Sequence, residues 1–137
     1  MIYSENANPM PFPKLKAFFL ATLFMAHNTM ADTYYFSSST GHDENTGLSI
    51  KDPLQDINKI SALALKPGDE IRLAQTDTFY GAIILYNISG TKEAPIILRS
   101  YSPPNIKTNR KPHIDACDYL CGIYIANSNF IEISDLS

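Results

Sequence analysis

The residues able to do chemistry on a ligand are few in this 137-residue chain and widely spaced. Arg99 lies in a strand-like run, IILRS, and Lys107, Arg110 and Lys111 follow in NIKTNRKP. These cations can bind an acidic sugar chain, and equally are what a solvated loop and the outward face of a strand carry. Asp115, in PHIDA, is either part of such a site or a strand-end aspartate that hydrogen-bonds the next turn. Tyr80, Tyr86, Tyr101, Tyr119 and Tyr124 offer flat faces on which a sugar ring can stack, a role shared with ordinary sheet-surface tyrosines.

Cys117 and Cys121 enclose only Asp118-Tyr119-Leu120. In an exported protein such a pair either closes a small-loop disulfide or stays as two thiols, and a zinc site would need two further ligands, which His113 alone does not supply. The loop from Thr40 to Gly47, with His42, Asp43, Glu44 and Asn45, carries oxygen ligands that calcium favours, but its spacing is not that of an EF-hand and it reads as a solvated turn. No residue is assigned a catalytic or metal-binding role, and the substrate-binding residues stay unassigned.

Elements that would position these groups begin at Asp52. Asp52 and Gln55 have capping-box spacing, Pro53 suits a first helical position, and Leu54, Ile57, Ile60, Leu63 and Ala64 fall on one face of a helix. Lys66-Pro67-Gly68 ends that helix, because proline cannot continue the ladder and glycine can take a positive φ. Strands are expected over 33–39, 70–74, 82–86, 96–101, 113–117, 122–126 and 130–136, several with period-two alternation. Hairpin turns of the Asn-Gly type are absent between them. A stack of strands covered at one end by the helix fits this order.

Ahead of all this, Lys14 and Lys16 precede an apolar run, AFFLATLFMA, and Thr29-Met30-Ala31 supplies a small-x-small end. That is the build of a secretory signal peptide over residues 1–31, with translation starting at Met1 or Met10. The run is shorter than the roughly 20 residues a membrane span needs. Residues 32–137 then form one small domain, expected to be a monomer, secreted or periplasmic. The net charge of −3 becomes more negative when Lys14, Lys16 and Glu5 are removed, which argues against nucleic acid as a partner.

The succession YYFSSSTGHDENTG, KDPLQDINKISALALKPGDEIRLA, DTFYGAIIL, NISGTKEAPIILRSYSP, PHIDA and GIYIANSNFIEISDL resembles the amino-terminal portion of secreted right-handed parallel β-helix proteins. That group includes the chondroitinase-B and alginate-lyase type polysaccharide lyases. The resemblance implies an all-β fold with an amino-terminal capping helix and the first coils of the stack. It implies an acidic polysaccharide as partner, cleaved by β-elimination in the full-length form, with Ca²⁺ a cofactor of full-length relatives and none in this segment. Elimination needs a cation to neutralise the uronate and a base to take the adjacent proton. In those lyases such residues lie on later coils, so none transfers here. Phe130 to Leu136 begins a fresh coil with no cap after it, so the sequence is expected to be a fragment. A non-catalytic carbohydrate-binding or cell-surface β-helix is the alternative function, and an antiparallel β-sandwich the competing fold.

Overall fold

The computed structural model describes residues 30–137, so the expected leader at 1–31 falls almost wholly outside the described residues. Eight strands follow in order: β1 (Thr33–Phe36), β2 (Glu70–Ala74), β3 (Thr78–Tyr80), β4 (Ile83–Tyr86), β5 (Ile96–Tyr101), β6 (His113–Asp115), β7 (Ile123–Ala126) and β8 (Ile131–Ile133). One short 3-10 helix, Ile57–Ala62, lies between β1 and β2.

Every strand ladder is parallel, in three sheets ordered β1-β2-β5-β8, β3-β6 and β4-β7. An antiparallel sandwich is thereby excluded. β2, β3 and β4 are each joined by the equivalent strand one turn later, with Ile71 beside Leu98, Phe79 beside Ile114 and Leu85 beside Ile125. Alternation puts Ile71, Leu73, Phe79, Ile83, Leu85 and Leu98 inside, where they form one core with Phe36. Among the described residues no helix is long and apolar enough to cross a membrane.

The expected helix is corrected in type, start and end. Asp52 does not cap it: its N–H donates to Ser49 O at 3.1 Å, and Leu54 forms a parallel bridge with Phe36. The backbone N–H groups of Gln55 and Asp56 donate to Asp43 Oδ1 at 3.2 and 2.9 Å. With residues 54–56 held extended or capped from outside, the helix begins four residues beyond Pro53. Asp56 is its N-cap, accepting from Asn58 N at 2.8 Å. Leu54, Ile57 and Ile60 are buried and Leu63 half-buried, as the spacing predicts, but Ala64 is exposed. These side chains cover one end of the core.

The expected stop is corrected as well: the helix ends at Ala62 with Leu63 as its extended C-cap. Lys66-Pro67-Gly68 forms a separate turn before β2, in which Gly68 has φ +90° and Asp69, fully buried, accepts from Lys66 N at 2.9 Å and Asp32 N at 2.8 Å. Gly41 is packed so that a Cβ there would run into the backbone carbonyls of Leu54 and Ser37. After β4 and again after β7 an asparagine turns the chain with φ near that of a left-handed helix, Asn87 at +56° and Asn127 at +49°. Asn87 N donates to Ala126 O at 3.2 Å, so the two corners stack.

Candidate functional site

Outward-facing residues of a parallel sheet lie in rows across the strands, because register partners point the same way. In the β4-β7 sheet, Ile84 is the register partner of Tyr124. Both face outward. The loop from β6 to β7 folds back beside them: Cys117 N donates to Asp115 Oδ1 at 2.9 Å, Tyr119 N to Ala116 O at 2.9 Å, and Cys117 has φ +50°. This turn presents Tyr119 and Leu120 next to Tyr124.

The result is a groove of about 300 Å³ lined by Ile84, Tyr124, Tyr119, Leu120 and Asp118, with Ala82 and Cys121 at its floor and rim. Its walls are mainly apolar. Tyr119 and Tyr124 are half exposed and Leu120 is wholly exposed. Tyr86 stands in the next outward position of β4, its hydroxyl accepting from Asn127 Nδ2 at 3.3 Å. Such a surface can stack on an apolar ring face while its phenol hydroxyls bond a polar rim.

The other expected site residues are distributed differently. Tyr101 is buried, edge-to-face with Tyr35 at 5.2 Å between ring centroids. Burial, then the charge of Asp77, then Tyr35 push its hydroxyl up to about 12. Tyr80 is exposed on β3, outside the groove.

Arg99 does not stand free. It donates to Glu70 Oε1 and Oε2 at 3.1 and 3.0 Å, while Arg72 Nε donates to the same Oε2 at 2.8 Å. Arg72 and Arg99 are register partners on adjacent strands, and Glu70 separates their charges. Burial raises the Glu70 carboxyl, but the hydrogen bonds and charges of the two arginines outweigh it and hold the group below the usual carboxylate range.

Lys107, Arg110 and Lys111 are exposed in the long loop before β6, and His42 is exposed in the early loop. In that early loop Asp43 caps the backbone of residues 55 and 56, and Asn45 Nδ2 donates to Pro53 O at 2.8 Å. Asp115 bonds the turn that follows it, as a strand-end aspartate does. Both cysteines are free and exposed, flanking the segment that carries Tyr119 and Leu120. Among the described residues no group of three or more His, Cys, Asp and Glu is placed to hold a metal.

One buried network went unread in the sequence. Asp77, nearly buried, accepts from the Ser37 hydroxyl at 2.7 Å, the Ser39 hydroxyl at 2.9 Å and the Ser39 N–H at 3.2 Å. It ties the end of β1 to the corner before β3. The serine run after β1 was the available signal.

No protein-family model matches this chain, and no curated protein does. Solved structures do. The native crystal structure of a GH136 lacto-N-biosidase from Eubacterium ramulus superposes with a TM-score of 0.63 at 24% identity over 77% of this chain. Its selenomethionine derivative gives 0.60 at 22% identity over the same share. The chain spans about a fifth of the length of those proteins, 20% in each case. The likeness is one of fold.

Proposed function

We propose that this chain is the amino-terminal part of an exported right-handed parallel β-helix protein that acts on polysaccharide, with residues 1–31 as its export signal. The observation that carries the reading is the fold likeness to a GH136 lacto-N-biosidase, together with the parallel pairing, in order, of equivalent strands in this chain. The capped end under Ile57 and Ile60 supports placing this segment at the start of the stack.

The sequence resemblance favours β-elimination as the reaction; the name of the structural neighbours favours hydrolysis. The two differ in what they demand of the protein. Elimination needs a cation at the sugar carboxylate and a base at the neighbouring proton. Hydrolysis of a glycosidic bond most often needs two carboxyl groups facing each other across it. Within the described residues Arg72 and Arg99 of the β1-β2-β5-β8 sheet are both engaged by Glu70, which supports placing the reacting groups on other turns of the full-length protein. A non-catalytic carbohydrate-binding protein is the second reading, supported by the aromatic groove.

Incubating the full-length protein with acidic and neutral polysaccharides separates these. Elimination releases reducing ends together with ultraviolet absorbance from an unsaturated uronate. Hydrolysis releases reducing ends without it. Retention on a polysaccharide with neither product supports the binding protein, and neither product nor retention overturns the proposal.

A further inference from the structure

The geometry points to the groove between β7 and the loop 117–121 as a contact site for one ring of an uncharged sugar chain. This rests on the polysaccharide reading above and deepens it by naming the class of sugar that this part of the protein takes.

Three observations converge. First, the aromatic residues are not a random scatter of sheet-surface tyrosines: register alone puts Tyr124 over Ile84, and the turn at Cys117 brings Tyr119 in from a different segment to face the same space. Second, Leu120 is wholly exposed at the lip beside two half-exposed tyrosines. Contiguous apolar exposure of this kind marks a contact region, where a single exposed leucine would not. The volume, about 300 Å³, is at the lower end of small-ligand sites, about 300 Å³ and upward, and suits a ring lying in a longer chain more than a whole oligosaccharide.

Third, the charge is of one sign. Asp118 is the charged residue lining the groove, and no lysine or arginine lines it. A uronate placed there would meet a like charge and lose water without gaining a partner, which opposes binding. A neutral pyranose instead offers C–H faces to the tyrosines and hydroxyls to the Asp118 carboxylate, a charge-assisted acceptor. The acidic polysaccharide implied by the resemblance therefore does not suit this groove, whatever other turns bind.

The test is calorimetric titration of the full chain with neutral oligosaccharides of glucose, xylose, mannose and N-acetylglucosamine, and with oligogalacturonate. Tyr124→Ala, Tyr124→Phe and Asp118→Asn are compared with Tyr80→Ala, which alters an exposed tyrosine outside the groove, and thermal melting verifies that each is folded. At least one neutral chain should bind, about tenfold more weakly in Tyr124→Ala, with a smaller loss in Tyr124→Phe, which keeps the ring and drops only the hydroxyl, and unchanged in Tyr80→Ala. Asp118→Asn should narrow the gap between neutral and acidic chains.

Neutral binding that ignores Tyr124→Ala, or falls equally in Tyr80→Ala, overturns the groove while leaving the polysaccharide reading intact. Oligogalacturonate binding as tightly as neutral chains in the wild type, or a gap unchanged in Asp118→Asn, overturns the choice of sugar. Self-association abolished by Leu120→Ser, without sugar binding, reassigns the groove to a protein contact. No binding of any sugar removes both this site and the main support for carbohydrate contact in this segment.

Discussion

Leu85 and Ile125 are register partners in the β4-β7 sheet and point the same way, yet Leu85 has no exposed surface and Ile125 is 40% exposed. Leu98 and Ile133 repeat the relationship across β5 and β8, at 0% and 42%. The difference lies in cover alone. Leu85→Ala should cost about 2–5 kcal/mol, as truncation of a packed leucine does, and Ile125→Ala about 1 kcal/mol or less, since half its surface already meets water. Urea unfolding of the two variants measures the difference.

Asp77 should be costly to remove. In Asp77→Ala the Ser37 hydroxyl, the Ser39 hydroxyl and a backbone N–H lose a charged acceptor, at a cost of about 3 kcal/mol for the set. Ser37→Ala should cost less, and the double variant should cost less than the sum of the two, because both remove the Ser37–Asp77 bond while only Ser37→Ala removes the bonds from Thr40. A double-mutant cycle in denaturant reads the coupling.

On the alkaline side, Tyr101 sets a limit. Its hydroxyl titrates at about 12 when folded and near the ordinary tyrosine value of about 10 when unfolded. Its contribution is therefore complete below about pH 10 and is lost as pH rises toward 12. Chemical denaturation across that range should give falling stability, with a shallower fall in Tyr101→Phe.

Acid acts through Glu70. Its carboxyl is depressed in the folded state, so its contribution is present above the unfolded carboxylate range and is lost as pH falls through the lower folded value. At neutral pH Glu70→Gln should leave Arg72 and Arg99 as adjacent like charges. The expected cost is about 1 kcal/mol at low salt, smaller at high salt because the arginines are partly solvated. The difference from wild type should shrink in acid.

Both cysteine thiols are free and exposed, so the folded protein should take up two alkylating groups without denaturant. Mass spectrometry counts them. After oxidation, uptake of none would mark closure of the 117–121 loop, and sugar titration of that form would measure whether pinning Tyr119 and Leu120 changes the groove.

Much of the architecture was legible because it rests on short-range pattern. Strands β2 and β5 occupy the residues that alternation marks out, and Pro67-Gly68 makes a turn by local sterics, although the helix has already ended at Ala62. The helix start was not legible, because Asp52 and Asp56 are both good caps and the choice was made by the edge of β1 and by Asp43, which lie elsewhere in the chain. β3 is not among the expected strands, since three residues are too few for a period to register. The groove was beyond sequence reach for a related reason: Ile84 and Tyr124 become neighbours through the pairing of two turns, a distance no local spacing encodes. Tyr119, Tyr124 and Tyr86 could be named as candidates, but only the folded structure separates them from Tyr101, which is buried against Tyr35.

Asn87 and Asn127 bend the backbone by nearly the same angle at equivalent corners, and each corner bonds to the other. A gene segment encoding one whole circuit of the chain can thus be copied or deleted and leave the joint on either side with the bend it had. Length would then change a circuit at a time under an unchanged covered end, whereas the groove needs the turns carrying Ile84 and Tyr124 to stay adjacent.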